Sequence, residues 1–259
     1  MLPEYYSNLA PFRARFLAGR PVLTYHHVGH RPRRACIKGL YLSPTLFTRQ
    51  IAELRREGFS TASFGSLTAP YSSTKVVFLT FDDGFRDVFE NALPILTEHR
   101  CHAILFLVAG LLGQTNQWQQ SAGDIVEGLM DETQVRTWLA SGQEIGSHTL
   151  THPRLTQLSS NAARQEITDS KKSLEDQFGV AIDHFCYPYG DWNLNVRDLV
   201  VEAGYKSACT TNPGLNNDGT SPFSLNRFTA RYRSRNLRNL WTRTRLLMRQ
   251  VLDDLVTAA

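Results

Sequence analysis

The chain has 259 residues, of which 42% are hydrophobic and 20% charged, and its formal net charge is +4. This apolar content excludes an intrinsically disordered chain, and 17 glycines with 11 prolines exclude collagen-like or low-complexity sequence. No stretch approaches the ~18 consecutive apolar residues of a membrane-spanning helix. The length suits one α/β barrel as well as two small domains.

Positive charge is concentrated at the C-terminal end, where residues 231–259 contain seven Arg and two Asp. No nucleic-acid-binding motif accompanies this basic segment, so we expect no nucleic-acid partner. The four cysteines form no CxxC pair, which is typical of free thiols in a reducing compartment. The first 21 residues lack the apolar core and cleavage site of a signal peptide. We therefore expect a cytoplasmic protein, or an exported one if an export signal has been removed from this sequence.

Strand-like and helix-like segments alternate along the chain without a linker. Short β-branched and aromatic runs predict strands over residues 21–28, 75–81, 102–110, 143–148, 183–188, 205–211 and 224–229. Helical spacing and capping residues predict helices over residues 43–58, 85–100 (with a break near Pro94), 131–141, 160–178, 194–203 and 237–256. Seven or eight such units favour a single α/β domain over residues 1–259, a closed or nearly closed (β/α) barrel with parallel strands.

Two adjacent carboxylates, Asp82 and Asp83, directly follow the strand at 75–81, and Gly84 then turns the chain. Catalytic residues of such barrels lie at the carboxyl ends of strands. Successive strand residues point to opposite sides, so the two carboxylates are expected to differ in role, one as a metal ligand and the other facing the substrate. The alternative is an Asp-Asp-Gly turn that caps the next helix.

A second polar cluster, SHTLTHP at residues 147–153, ends the strand at 143–148. His148 and His152 can bind one ion if the segment makes a helical turn. The alternative is a pair of unrelated surface histidines. Together with one Asp they provide three protein ligands and leave a fourth position for water, which is the stoichiometry of a catalytic zinc site. The other Asp is then available as a general base.

The motif TFDDG followed by HTLTHP resembles the polysaccharide deacetylases, also called the NodB homology group or carbohydrate esterase family 4. The segment YPYG at residues 187–190, followed by Asp191 and Trp192, is similar to the third motif of that family. The resemblance extends from about residue 21 to residue 228. It implies a distorted (β/α) barrel, often of seven strands.

The resemblance also implies the chemistry of the site. Asp82 is expected as the general base, the backbone N–H of Tyr189 as a donor to the oxyanion, and three residues as metal ligands: Asp83, His148 and His152. The expected metal is zinc, and such a site also accepts cobalt, nickel or iron. The expected reaction is metal-dependent hydrolysis of the acetamide of an N-acetylated sugar to a free amine and acetate.

Two departures from the family pattern bear on the remaining roles. Cys186 stands where the third motif usually has an arginine, and the last predicted strand lacks the usual catalytic histidine. The first strand instead ends in two histidines, which resembles the branch that deacetylates poly-β-1,6-N-acetylglucosamine. We expect His26 to be the general acid, with His27 as the alternative acid, since only one of the two should face the site; the competing interpretation is a structural histidine at a strand end. Arg227 is expected to orient Asp82, the alternative being a surface ion pair.

Further residues are predicted to contact the substrate. Tyr187, Pro188, Trp192 and His27 are assigned to substrate binding, and Trp118 and Trp192 are candidates either for sugar stacking or for core packing. A loop that follows the first strand carries five basic side chains that suit an anionic group or a solvated loop: His30, Arg31, Arg33, Arg34 and Lys38. The substrate is expected to be a polysaccharide, an oligosaccharide or a lipid-linked precursor. The competing functions are a non-catalytic carbohydrate-binding relic and an amidohydrolase acting on a non-sugar amide.

The segment 231–259 is predicted to contain an amphipathic C-terminal helix. Its apolar residues recur at helical spacing, with arginines interleaved among them. Such a helix can close the barrel, or it can lie against an anionic membrane surface at the inner face. The sequence predicts no particular oligomeric state.

Overall fold

The strands of the protein are short apolar runs, several of them buried on both faces as in other parallel sheets. The computed structural model describes residues 5–68, 75–120 and 124–231. In chain order the strands are β1 (Val22–Tyr25), β2 (His27–Val28), β3 (Tyr41–Leu42), β4 (Phe78–Phe81), β5 (Ile104–Leu107), β6 (Glu144–Ser147), β7 (His184–Cys186), β8 (Ser207–Cys209) and β9 (Phe228–Thr229).

The helices are α1 (Arg13–Phe16), α2 (Pro44–Arg56), α3 (Leu93–Glu98), α4 (Gln117–Gln120), α5 (Glu132–Ala140), α6 (Ser160–Phe178) and α7 (Leu194–Glu202). Helices α2 and α5 begin at the predicted N-caps Ser43 and Asp131, and α6 ends at the predicted Gly179, whereas α1 and α4 were not predicted. The Ser43 side chain accepts a hydrogen bond from the Leu46 N–H at the start of α2. Gly179 ends α6 in the left-handed conformation, with φ 69°.

Seven of the strands form one parallel sheet in the order β8-β7-β6-β5-β4-β1-β9. The sheet curls into a half-barrel with helices packed around it. The prediction of an α/β fold with about seven parallel strands is therefore confirmed. β8 and β9 remain the two edges, and between them Leu225 forms a single parallel bridge to Cys209. This contact explains why the predicted strand at 224–229 is reduced to β9: its first residues follow β8 before the chain reaches β1.

The predicted strand at 21–28 is divided at His26. β1 pairs with β4 and β9, whereas β2 pairs with β3 outside the main sheet. The Asp82 N–H donates to the Tyr25 carbonyl at 2.9 Å, so the ladder between β1 and β4 extends up to the division. Because β1 and β2 pair with different strands, the consecutive residues His26 and His27 lie in different surroundings.

The predicted helix at 85–100 is a π-helical turn over Val88–Ala92 followed by α3. Pro94 lies in the first turn of α3, where a residue without an N–H donor is tolerated. The break therefore precedes the proline.

Aromatic residues near the N-terminus complete the core in a way that the sequence analysis did not predict. Tyr6, Phe12 and Phe16 are fully buried, and the rings of Phe12 and Phe228 lie 5.4 Å apart. The Tyr6 N–H donates to the Thr229 carbonyl at 3.0 Å, which fixes this segment beside β9.

Within the described residues, no helix combines the length and hydropathy needed to cross a bilayer. The predicted C-terminal helix at 237–256 lies outside the described part of the chain, as does all of the basic segment 231–259 except Arg231. That helix and its membrane contact therefore stay predictions.

Candidate metal centre and active site

The candidate site lies at the carboxyl ends of the central strands, where the loops of a parallel barrel carry catalytic residues. Asp82 and Asp83 follow β4, His148 follows β6, and His26 follows β1. Arg227 directly precedes β9. Chain topology thus brings residues from both ends of the described sequence to one place.

Asp83, His148 and His152 form a buried cluster of metal-ligand type. Asp83 Oδ1 lies 3.3 Å from His148 Nε2 and 3.3 Å from His152 Nε2. All three side chains are at least 95% buried. Two imidazole nitrogens and one carboxylate oxygen that face a common point match the protein ligands of a catalytic zinc site.

Polar atoms without hydrogen-bond partners indicate that these three residues can hold a cation. Asp83 Oδ1 is buried and has no hydrogen-bond partner among the described residues. His148 Nδ1 lies 2.7 Å from the Cys186 carbonyl oxygen, and this contact orients the ring with Nε2 toward the cluster. Burial raises the pKa of Asp83, but the hydrogen bonds of His148 and His152 lower it by more, so that the pKa lies well below its usual range and the Asp83 carboxylate is anionic. The donor set therefore suits a divalent metal.

The loop that carries the two histidines differs from the helical turn that the sequence analysis proposed. Residues 148–152 are not helical, and Thr149 and His152 have φ angles of 70° and 67°. The Glu166 side chain accepts hydrogen bonds from the N–H groups of Leu150 and Thr151, both at 2.9 Å. Left-handed residues and this carboxylate, rather than the period of a helix, bring the two imidazoles together.

Asp82 is held by Arg227 in a bidentate ion pair. Arg227 Nη1 donates to Asp82 Oδ1 at 2.7 Å, and Nη2 donates to Oδ2 at 2.8 Å. Burial raises the pKa of Asp82, but the charge and hydrogen bonds of Arg227 outweigh it, so the pKa is lowered. Arg227 is itself buried and bonds to the Thr210 carbonyl at 2.9 Å. The contact that the sequence analysis expected between these two residues is present.

The two consecutive histidines lie in different surroundings. His26 Nε2 is 3.9 Å from Asp82 Oδ2, and its side chain is 19% exposed. Burial lowers the pKa of His26, partly opposed by Asp83 and Asp82. His26 therefore lies beside Asp82 at the site, and its role as the general acid stays a prediction.

The assignment of His27 to substrate binding, or to the acid role, is wrong. Its ring is 1% exposed and stacks between Tyr41 and Phe85, at centroid distances of 4.2 and 3.6 Å. Its nitrogens lie 3.0 Å from Asp87 Oδ2 and 3.2 Å from Glu127 Oε2. The change of partner strand after His26 turns His27 into this structural cluster.

Two further substrate assignments are contradicted by burial. Tyr187 is fully buried, and its hydroxyl donates to the Phe223 carbonyl at 3.1 Å. Pro188 is also buried. Trp192 is half-buried and stacks on Tyr187 with centroids 5.8 Å apart, so its contact with substrate stays a prediction. In the same motif Tyr189 is exposed to solvent, with a φ angle of 61° and 43% of its surface exposed.

Three residues contribute to the site in ways that the sequence analysis did not foresee. The Cys186 carbonyl orients His148, Glu166 fixes the histidine loop, and Trp118 stacks on the His152 ring at 4.3 Å. Glu166 is one of several acidic residues on the polar face of α6, and no sequence signal distinguishes it. Trp118, which lies in α4, was a candidate for sugar stacking or core packing, but its contact with a proposed metal ligand was not predicted.

Comparisons with known proteins agree with this geometry. The sequence model described as polysaccharide deacetylase matches residues 70–208, more than half of the chain. The chain belongs to the polysaccharide deacetylase family. It is 26% identical to the Bacillus subtilis protein YxkH over 212 residues, which cover 80% of this chain and 70% of that protein.

Solved structures of this family have the same fold. The Streptococcus pyogenes deacetylase PplD, determined with acetate, is 26% identical, with a TM-score of 0.71 over 82% of this chain and 92% of that chain. IcaB from Ammonifex degensii is 22% identical, with a TM-score of 0.72 over 82% of this chain and 91% of that chain. The protein is therefore a NodB-type polysaccharide deacetylase, a hydrolase that cleaves the amide C–N bond of N-acetyl groups.

Proposed function

We propose that this deacetylase is a zinc enzyme that removes acetyl groups from an N-acetylated sugar chain. The observation that carries the proposal is the convergence of Asp83 Oδ1 with the Nε2 atoms of His148 and His152, each at 3.3 Å. Two nitrogen ligands and one oxygen ligand favour zinc among the divalent metals, although cobalt, nickel and iron also bind such a set.

The roles of the surrounding side chains follow from their positions. A divalent ion at this cluster supplies a Lewis acid for the acetyl carbonyl and lowers the pKa of water. Asp82, anionic and held by Arg227, accepts the proton of the attacking water. His26 donates a proton to the departing nitrogen, because an amide anion is too basic to leave. The Tyr189 N–H donates to the oxyanion of the tetrahedral state.

The substrate of the proposal is a polysaccharide, an oligosaccharide or a lipid-linked precursor that carries acetamide groups. The mouth of the site supports a sugar chain because Trp118 and Tyr189 flank the His152 ring at centroid distances of 4.3 and 4.6 Å. Partly exposed aromatic side chains beside a catalytic centre suit the apolar faces of sugar rings. A cytoplasmic location and contact with an anionic membrane through the C-terminal segment belong to the same proposal.

The test measures metal content and acetate release separately. Asp82→Asn is expected to keep stoichiometric zinc and to lose acetate release, whereas His148→Ala and His152→Ala are expected to lose both. His102→Ala, a substitution of an exposed histidine outside the site, serves as the matched control. Metal content that survives in the double histidine variant would contradict the ligand assignment.

Acetate release also separates catalysis from the alternatives. A carbohydrate-binding relic would bind N-acetylated oligomers without releasing acetate. An amidohydrolase for another class of substrate would bind zinc and leave sugar acetamides intact. Assays across β-1,4 oligomers, β-1,6 oligomers and lipid-linked sugars therefore test both the reaction and the substrate class.

A further inference from the structure

Four side chains form a continuous row along one side of the candidate site. The row runs from Trp118 to His152, then to Tyr189 and finally to Arg154. Trp118 stacks on His152 at 4.3 Å, and the Tyr189 ring meets His152 edge to face at 4.6 Å. The carbon at the centre of the Arg154 guanidinium lies 4.1 Å from the centroid of the Tyr189 ring. A cation is thus placed two ring contacts from a proposed metal ligand.

The backbone fixes the positions of Arg154 and Tyr189. Arg154 follows His152 by two residues, so the histidine loop determines its place. The Asp191 carboxylate accepts hydrogen bonds from the Thr156 N–H at 2.9 Å and from the Thr156 hydroxyl at 2.8 Å. This contact joins the segment that carries Arg154 to the segment that carries Tyr189. The arginine is therefore held at the mouth of the site by neighbours on both sides.

Arg154 is exposed and has no anionic partner within the described ranges of the chain. No carboxylate of those residues lies within ion-pair distance of Arg154, and its guanidinium donates no hydrogen bond to them. Stacking on an aromatic ring leaves the N–H groups at the edges of the guanidinium plane available. Those groups match the two oxygens of a carboxylate or a phosphate.

Packing against the Tyr189 ring does not by itself require an arginine at position 154. Arg154 covers one face of the Tyr189 ring, and Tyr189 remains 43% exposed. An apolar side chain at position 154 would cover the ring equally well without placing a charge there. The placed charge therefore indicates recognition of an anion at this edge.

We propose that Arg154 is a specificity-determining residue that binds an anionic substituent, a carboxylate or a phosphate ester, on the sugar chain presented for deacetylation. The proposal rests on the proposed function of the site and names the substrate class that the site favours. The anion lies beside the sugar at the metal cluster, because Arg154 and the cluster are separated only by Tyr189 and His152.

The test compares three probes: a neutral trimer of N-acetylglucosamine, an oligomer of N-acetylglucosamine and N-acetylmuramic acid with its lactyl carboxylate, and a trimer phosphorylated at C6. The variants are Arg154→Gln, which removes the charge, and Arg154→Lys, which keeps the charge without the planar fork. Arg164→Gln is the matched control, an exposed arginine on α6 that pairs with Glu202.

For Arg154→Gln, the KM for at least one anionic probe is expected to rise relative to the KM for the neutral probe by about tenfold or more, as expected for a hydrogen bond to a charged group. Arg154→Lys is expected to fall between the wild type and Arg154→Gln. The carboxylate and phosphate arms identify which anion is bound. Equal changes of KM for neutral and anionic probes would show that Arg154 only supports Tyr189, and unchanged KM ratios would equally overturn the proposal.

A binding measurement separates this proposal from the deacetylase proposal. The Kd of each probe is measured by calorimetry in the Asp82→Asn background, where no turnover is expected. Loss of anion preference on adding Arg154→Gln supports the specificity role even if none of the probes releases acetate from the wild type. Binding of all three probes with the same Kd before and after the substitution overturns it.

Discussion

Arg227 and Asp82 join across the barrel through two parallel hydrogen bonds of 2.7 and 2.8 Å. Arg227 Nη2 also lies 3.1 Å from Cys186 Sγ, so its guanidinium reaches the side chain that stands in place of the family's usual arginine. The guanidinium that pairs with the Asp82 carboxylate therefore comes from Arg227, beside the edge strand β9. It does not come from position 186 in β7. The sulfur of Cys186 fits beside it because a thiol is small and uncharged, and burial raises the pKa of Cys186 to about 11.

Substituting Arg227 by Gln is expected to lower both stability and turnover. It leaves the buried Asp82 carboxylate without its counter-ion, which typically costs about 3–5 kcal/mol. Chemical denaturation measures the free energy of unfolding, and acetate release measures turnover. Arg227→Lys, which keeps the charge, is expected to lose less stability than Arg227→Gln.

Moving the arginine from position 227 to position 186 tests whether either position can supply the guanidinium that pairs with Asp82. Cys186→Arg alone is expected to abolish activity, because two guanidinium groups cannot share one buried pocket beside a single carboxylate. The double variant Cys186→Arg with Arg227→Gln is expected to recover part of the activity, since the new arginine reaches Asp82 from β7. A double variant no more active than Arg227→Gln alone would show that the two positions are not interchangeable.

Substitutions of the adjacent residues His26 and His27 are expected to affect different properties, turnover in the first case and stability in the second. His26→Ala should lower turnover by about 10² to 10⁴, the usual contribution of general acid catalysis, with little loss of stability. His27→Ala should lower the free energy of unfolding by about 2–4 kcal/mol, because it empties the space between Tyr41 and Phe85 and removes the partner of Asp87. Thermal melts and acetate release on the same two preparations check the division. Full activity of His26→Ala would assign the proton to another donor.

Stability is expected to decline in mild acid because of His184. Its ring is buried, and burial lowers its pKa to about 4. The unfolded chain takes up a proton near pH 6.5 while the folded chain does not, so stability is full above about pH 6.5 and declines as the pH falls toward 4. The loss from this group alone is about 3 kcal/mol.

Denaturation at pH 7 and pH 4.5 measures the effect. His184→Gln should lose less stability between the two pH values than the wild type, whereas His102→Gln, at an exposed position, should follow the wild type. Identical pH slopes for the wild type and His184→Gln would assign the acid sensitivity to other groups.

Membrane contact through the C-terminal segment is tested with vesicles. The wild type is expected to co-sediment with anionic vesicles at low salt and to be released by salt, because arginines near an anionic surface contribute attraction that ions screen. Replacement of four arginines by glutamine, at Arg238, Arg243, Arg245 and Arg249, should remove the binding. A wild type that remains in the supernatant at low salt would exclude this contact.

Local signals in the sequence predicted most of the helices and the two His and one Asp of the candidate metal cluster, whereas the choice of Asp83 over Asp82 came from the family resemblance. Ser43, Asp131 and Gly179 act at helix ends through hydrogen bonds or φ angles within a few residues, so their effect can be recognised without a fold. The Asp-Asp-Gly and HTLTHP motifs likewise carry their spacing within short segments, and barrel topology then brings their ends together.

The incorrect assignments concern residues whose side-chain direction is set by contacts with distant parts of the chain. His27 and Tyr187 lie next to site residues in sequence, but the change of strand after His26 and the packing of Trp192 turn them away. The left-handed conformations of Thr149 and His152 depend on Glu166 and the surrounding core, and neither residue type predicts them. The N-terminal aromatic residues are buried because β9 lies beside them, although it is formed by residues more than 200 positions later.

The separation between Asp82 and Arg227, 145 residues, also has a consequence for the timing of synthesis. A ribosome adds about 5–20 residues per second, so roughly 7 to 30 s pass between translation of the carboxylate and translation of its guanidinium. Once residue 152 has been translated, the emerging chain contains both proposed metal-binding motifs, but its proposed base still has no counter-charge. The proposed base therefore gains its counter-charge only after Arg227 has been translated and β9 has docked beside β1.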